Sequence, residues 1–228
     1  MSWNEWVRTA EIEPSIYAAD FSCLGEQLER LLEGGVRIFQ FDVGDGQFVE
    51  PITTGPIVLE SISPIVHLRG GFVDCHLMIV EPERHFAAFA KAGGDSVTVH
   101  YEVAADRLGE IAAAARSLGL GFGLAFNPET DVEAAAEAAI SVEADLALCM
   151  SIKPGYSGQQ FMPSALERIG KLRELLPERM HIQVDGGIGI ANVTLAREAG
   201  ANLFVAGSSV FGRSDYVRAY QELAAALA

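Results

Sequence analysis

The stretch Arg37-Ile38-Phe39-Gln40-Phe41-Asp42-Val43-Gly44-Asp45-Gly46 decides how the chain is read. It has the character of a buried β-strand running into a tight, acidic, glycine-punctuated turn. Side chains alternate faces along a strand, so Gln40 and Asp42 project to one side and Phe39, Phe41 and Val43 to the other. A polar pair on one face of an otherwise apolar strand costs desolvation energy unless something meets it. Two readings stand: a Gln and an Asp satisfied internally near a strand end, or one part of a site to which other strands contribute.

Outward from this stretch, apolar strand-like runs alternate with amphipathic helical runs. Strands are expected near 12–17, 36–43, 71–78, 96–100, 121–126, 146–152, 181–185 and 203–206, with helices near 22–33, 56–63, 82–92, 104–118, 131–139, 164–176, 191–199 and 214–227. The first helix shows the pattern: Leu24, Leu28, Leu31 and Leu32 form one apolar stripe, and Gly34-Gly35 ends it. Most strands are apolar throughout, as strands buried on both faces are. Eight strand–helix units in 228 residues match a (β/α)₈ barrel, with an open doubly wound sheet as the alternative. No linker or low-complexity tract marks a boundary, so one domain over residues 1–228 is expected, with 1–10 as an N-terminal extension.

Sixteen Lys and Arg against 31 Asp and Glu give a net charge of −15. That balance argues against nucleic acid or an anionic membrane as a partner, and any anionic substrate must be held by local donors against the protein's own field. No apolar run reaches the roughly 20 residues of a membrane span. The start, Met1-Ser2-Trp3-Asn4-Glu5-Trp6, lacks the basic and apolar regions of a signal peptide. Cys23, Cys75 and Cys149 lack metal-type spacing and sit among apolar residues. Buried free thiols in a reducing compartment are expected, hence a cytoplasmic location.

In a barrel of this kind the chemistry gathers at the C-terminal ends of the strands. Those ends carry Ser15, Gln40 and Asp42, His76 and Met78, Met150, and Asp185. Two carboxylates and an imidazole suit a divalent cation, although a lone His76 also reads as a neutral core histidine. His67, His85, His100 and His181 lack such company and are read as structural. Glycine turns follow the last three strands: Pro154-Gly155-Tyr156-Ser157-Gly158-Gln159, Gly186-Gly187 and Gly207-Ser208-Ser209. Such loops expose backbone N–H groups, and three in succession favour a phosphate site over three unrelated tight turns.

Six segments occur in order: Pro14-Ser15-Ile16-Tyr17-Ala18-Ala19-Asp20-Phe21, Phe41-Asp42-Val43-Gly44-Asp45-Gly46-Gln47-Phe48-Val49, Cys75-His76-Leu77-Met78, Met150-Ser151-Ile152-Lys153-Pro154-Gly155-Tyr156-Ser157-Gly158-Gln159, Val184-Asp185-Gly186-Gly187 and Val205-Ala206-Gly207-Ser208-Ser209-Val210-Phe211. From residue 12 onward the chain closely resembles the ribulose-phosphate 3-epimerase family. The resemblance implies a phosphate-binding TIM barrel that interconverts ribulose 5-phosphate and xylulose 5-phosphate with a divalent metal (Zn²⁺, Fe²⁺, Mn²⁺ or Co²⁺), and a homo-oligomer. By resemblance Asp42 and Asp185 are the acid–base pair and metal ligands, and His76 is a third ligand. Gln40 stands where the family has a fourth ligand, a histidine, and its amide oxygen is a weaker donor. Ser15 lies near the substrate, and Met78 and Met150 pack beside the reacting carbons. Gly155, Ser157, Gly158, Gly186, Gly187, Gly207 and Ser208 belong to the phosphate side. Gly44 replaces a methionine, which is expected to open the pocket floor. Tyr17, Ala18, Lys153 and Ser157 are further departures.

The expected chemistry is inversion of the carbon next to a ketone: one carboxylate removes the C3 proton and a second carboxyl group returns a proton to the opposite face of the enediolate. Alternatives are an epimerase of another ketose phosphate, such as allulose 6-phosphate or a tetrulose phosphate, and a barrel that only binds a sugar phosphate. The hexulose-phosphate synthase and orotidylate decarboxylase type is set aside, because its Asp-x-Lys-x-x-Asp array is here Asp74-Cys75-His76-Leu77-Met78-Ile79, without lysine.

Overall fold

The computed structural model describes residues 3–156 and 158–227, apart from the side chain of Asn4. Eight parallel strands carry the fold: β1 (Glu11–Pro14), β2 (Ile38–Gly44), β3 (Phe72–Met78), β4 (Ser96–His100), β5 (Gly121–Phe126), β6 (Leu146–Met150), β7 (His181–Asp185) and β8 (Leu203–Ala206). Their order is β1-β8-β7-β6-β5-β4-β3-β2, and a parallel bridge between Ser15 and Gln40 closes β2 back onto β1. The (β/α)₈ barrel read from the sequence is therefore the fold, and the open sheet is excluded.

Phe39, Phe41, Val43, Val73, Cys75, Leu77, Val97 and Val99 face outward into the main core beneath the helices. The other faces of the same strands point into the barrel. Midway along its interior lies a polar layer, Glu13, Gln40, Asp74, Ser96, Thr98 and Gln183, fully buried. Asp74 accepts from Ser96 Oγ at 2.5 Å and from Thr98 Oγ1 at 3.2 Å. Gln183 donates to Glu13 and, at 3.3 Å, to the side-chain oxygen of Gln40. Burial, with Asp74 adding to it, pushes the Glu13 carboxyl well above the ordinary carboxylate range.

Below this layer the N-terminal segment closes the barrel. A short helix, Trp3–Trp6, puts both indoles into a second apolar cluster with Ile38, Leu146, Leu148 and Leu203. Trp6 stacks on Phe72 with ring centroids 4.7 Å apart. A Cβ on Gly121 would lie 3.0 Å from Nε1 of Trp3, so the glycine that opens β5 makes room for the plug. The sequence reading of residues 1–10 as an extension missed this packing.

Several boundaries differ from expectation. The first strand stops at Pro14, because the chain enters a 3₁₀ turn at Ile16–Ala18. The sixth stops at Met150, where Ser151 Oγ turns to the carbonyls of Asp185 and Gly186. The third helix runs through Pro64, as Pro56–Leu68, with the proline on its exposed side where a lost backbone bond faces solvent. The region near 82–92 splits into a 3₁₀ turn, Pro82–Arg84, and a helix, Phe86–Lys91. Residues 104–118 likewise divide, with the helix proper at Leu108–Ser117. Cys75 and Cys149 are buried, but Cys23 is exposed, because it caps the helix Leu24–Glu33 with its thiol turned out toward the Asp20 carbonyl.

Candidate active site

The register of the barrel brings the strand ends together. Ser15, just past β1, donates through Oγ to Oδ2 of Asp42 at 2.5 Å. Adjacent β3 pairs His76 with Asp42, and Nδ1 of His76 lies 2.9 Å from Oδ1 of Asp42. The same nitrogen is 3.8 Å from Oδ2 of Asp185 at the end of β7. Ligand-type atoms of Asp42, His76 and Asp185 all fall within 4.8 Å of one another, so this group could hold a metal ion. Its donor set, two carboxylate oxygens and an imidazole nitrogen with the remaining side open to a cavity, fits a catalytic divalent cation.

Electrostatics act strongly on Asp185. Burial, and next the charge of Asp42, push the Asp185 carboxyl up to about 7, while His76 works in the opposite direction. Burial acts to lower His76, but its hydrogen bond and charge contact with Asp42 prevail and leave it above the usual imidazole range. Gln40 lies directly beneath. Its amide nitrogen faces Oδ1 of Asp42 at 3.4 Å and its oxygen takes the Gln183 contact from the layer below.

Above the cluster is a cleft with about 520 Å³ of empty space, the open solvent at its mouth included. Of the residues expected from the sequence, Ser15, Asp42, Met78, Met150, Gly155, Gly158, Asp185, Gly186, Gly187, Gly207 and Ser208 line it. His76 and Gln40 sit under its floor, fully buried. Ser157 lies outside the described residues. Tyr17, Ile152, Pro154, Tyr156, Ile188 and Val205 complete the walls and were not singled out for that role.

The glycine wall is shaped by backbone geometry. Gly187 has φ +63°, and a Cβ there would lie 2.4 Å from the backbone nitrogen of Phe161, so no side chain fits. Gly207 precedes a short helix, Ser208–Phe211. Across the mouth, Tyr156 donates to Glu50 at 3.0 Å and latches the loop after β6 to the loop after β2. Lys153 is exposed and lines a neighbouring groove with Phe48, Asn127 and Glu129.

The expectation that Gly44 opens the pocket floor is not met. Its missing side-chain space is filled by the loop after β2: a Cβ on Gly44 would lie 2.6 Å from the Pro51 carbonyl and 2.8 Å from Val49. Thr53 holds that loop in place, accepting from the Gly44 N–H at 2.7 Å and donating to the Asp42 carbonyl at 2.9 Å.

One histidine read as structural is in direct contact with the cluster. His100, at the end of β4, places Nε2 2.8 Å from Nε2 of His76, and its Nδ1 lies 3.2 Å from Oε2 of Glu102. Burial pushes His100 down to about 4. Burial would raise Glu102, but hydrogen bonds from His100, Thr130 and the Asn127 N–H bring it down to about 2. The signal available in the sequence was position alone, a histidine closing a strand.

Comparison with known proteins places this geometry. Residues 11–211 match the model of the Ribulose-phosphate 3 epimerase family. The chain is 39% identical to the ribulose-phosphate 3-epimerase of Bacillus subtilis, covering 93% of this chain and 97% of that one. It is 42% identical to the enzyme of the same name from Synechocystis, covering 91% and 90%. Among solved structures, 3-hexulose-6-phosphate synthase from Salmonella typhimurium superposes with a TM-score of 0.74 at 15% identity, covering 95% of this chain and 98% of that one. At that identity the likeness is one of fold.

Proposed function

Because the chain belongs to the ribulose-phosphate 3-epimerase family, we propose that it interconverts ribulose 5-phosphate and xylulose 5-phosphate by inverting C3. The observation that carries this reading is the Asp42–His76–Asp185 cluster under a cavity whose opposite wall is built from glycine turns. Asp42 and Asp185 come from β2 and β7, so a sugar above the cluster meets a carboxyl group from either side. One takes the C3 proton and the other returns a proton to the opposite face, and the two exchange roles with the direction of reaction. The raised Asp185 carboxyl supplies the contrast in protonation that this exchange needs. Ser15 holds Asp42 in one rotamer through its 2.5 Å hydrogen bond. Met78 and Met150, both buried, form apolar walls that keep water from the reacting carbon and strengthen charge interactions there.

Asp42, His76 and Asp185 would hold the divalent cation, Zn²⁺, Fe²⁺, Mn²⁺ or Co²⁺. When bound, such a cation supplies electrostatic stabilisation to the enediolate oxygens. Gln40, with its amide nitrogen toward Asp42, serves this reading as a hydrogen-bond donor to the carboxylate and leaves three protein ligands. The substrate phosphate belongs at the turns Gly155–Gly158, Gly186–Gly187 and Gly207–Ser208, where backbone donors offset the net charge of −15. Since loop atoms occupy the space beside Gly44, the floor is not enlarged, and a pentulose phosphate is favoured over a longer sugar.

The test is solvent-deuterium incorporation at C3 across a panel of ketose phosphates, using protein of measured metal content. Rapid exchange with ribulose 5-phosphate and slow exchange with the hexulose phosphates is expected. Faster exchange with a hexulose or tetrulose phosphate would transfer the assignment to that sugar.

A further inference from the structure

The chain of contacts that starts at Asp42 does not end at His76. His76 and His100 meet Nε2 to Nε2 at 2.8 Å, with ring planes 24° apart. Two imidazole nitrogens in that arrangement share one proton: one ring donates and the other accepts. Glu102 decides which. A carboxylate only accepts, so its position 3.2 Å from Nδ1 of His100 assigns a proton to that nitrogen. A cation on Nδ1 of His76 leaves that ring a single proton, on Nε2, so the Nε2 of His100 facing it at 2.8 Å is bare. Without a cation the same rule puts a proton on Nδ1 of His76 as well, toward Asp42; a cation takes that proton's place at the nitrogen between Asp42 and Asp185.

Glu102 is itself held. Its Oε1 accepts from the Asn127 N–H at 2.7 Å and from the Thr130 hydroxyl. Arg168 fixes that loop from the other side, donating to the carbonyls of Thr130 and Asn127 at 2.9 Å each. Phe48 lies against the His100 ring, centroid to centroid 4.7 Å, and His100 is fully buried. His76 is fully buried as well, and each ring is engaged at both nitrogens.

We propose that His100 and Glu102 are a positioning pair that sets the tautomer of His76 and thereby the cluster's affinity for a divalent cation. The proposal rests on the reading of Asp42, His76 and Asp185 as the cation-holding centre. Partners that orient a ligand histidine from behind are typically worth about 10–100-fold in metal affinity.

The test uses the full chain labelled with ¹⁵N-histidine, with long-range ¹⁵N–¹H spectra recorded before and after Zn²⁺ addition, and Zn²⁺ affinity measured against a competing chelator. His100 is expected with its proton on Nδ1 and Nε2 bare, and His76 with Nε2 protonated in both states. His100→Phe, which removes the acceptor, should weaken Zn²⁺ binding by about 10–100-fold, whereas His100→Gln, whose amide oxygen can still accept from His76, should restore most of it. A proton on Nε2 of His100 overturns the proposal, as does Zn²⁺ binding by His100→Phe as tight as the wild type's, or no Zn²⁺ uptake by the wild type. The tautomer readout needs neither a folded variant nor turnover. A wild type with the expected tautomers that fails to epimerise ribulose 5-phosphate removes the functional reading alone; the wrong tautomer in an active enzyme removes the positioning pair alone.

Discussion

At the C-terminal rim of the barrel, Ser15, Asp42 and Asp185 face a cavity walled by glycine turns, whereas at the N-terminal rim Trp3 and Trp6 fill the space between Ile38, Phe72, Leu146 and Leu203. Both rims are ends of the same eight strands, yet one opens charged groups to a cavity and the other is filled by apolar rings. The difference follows from what each end must do. Carboxylates held close together, with one pushed toward the protonated state, store unfavourable energy that a substrate can use. That stress must be offset elsewhere, and two buried indoles are a large source of favourable burial. The polar layer around Asp74 and Gln183 separates the two and anchors Gln40 from below.

The contrast is broken most sharply at the open rim. Asp42→Asn and Asp185→Asn should each lower kcat by about 10⁴-fold or more, given roughly 10²–10⁴ from a single proton-transfer group together with the lost metal ligand. Asp185→Asn should not cost melting temperature, because it relieves the crowding of negative charge, whereas Asp42→Asn gives up the buried contacts with Ser15 and His76 and should lower it. Near-wild-type turnover in either variant would mean that the chemistry lies elsewhere. At the closed rim the effects should be reversed. Trp6→Ala should cost about 3–5 kcal/mol in urea unfolding and leave kcat/KM of the folded enzyme unchanged. A large fall in kcat/KM well below the melting temperature would show that the two rims are coupled.

Ser208→Glu separates the two walls of the open rim from each other. A carboxylate beside the bound phosphate should raise KM by roughly 10²-fold, from a like-charge repulsion of a few kcal/mol at partly screened distances, with kcat changed far less. An equal loss in kcat would place Ser208 beside the reacting carbon. The smallest effect belongs to Glu102. Its folded pKa of about 2 lies below the ordinary glutamate value of 4.5, so its stabilising contribution is full above pH 4.5 and is lost as pH falls toward 2. Acid unfolding of Glu102→Gln should lack that part of the pH slope, and an unchanged slope would show that the His100 and Asn127 contacts do not hold the carboxylate.

The sequence was most legible where function is written into local pattern. Gln40 and Asp42 share a face because strands alternate, and the glycine turns after β6, β7 and β8 are visible as composition. The site residues missed were those whose role depends on a neighbour far along the chain. His100 is 24 residues from His76 and meets it because β3 and β4 pair side by side. Gly44 reads as a vacancy, but the returning loop at Val49–Thr53 occupies its space, a fact no strand pattern contains. The plug of Trp3 and Trp6 was invisible for the same reason, since two tryptophans before the first strand have no periodicity to place them.

By itself, then, the order of apolar strands, amphipathic helices and glycine stops determined eight strand–helix units and the strand ends that carry the chemistry, because those features act over a few residues and each strand must bury both faces. Closure of the sheet was decided by the pairing of β1 with β2 and β8. Only the closed barrel decided which way the Gln40 amide points, which imidazole backs His76, what fills the space beside Gly44 and what seals the far end. Those outcomes are set by register between strands and by close packing across the barrel, where a shift of one residue would send every inward side chain out.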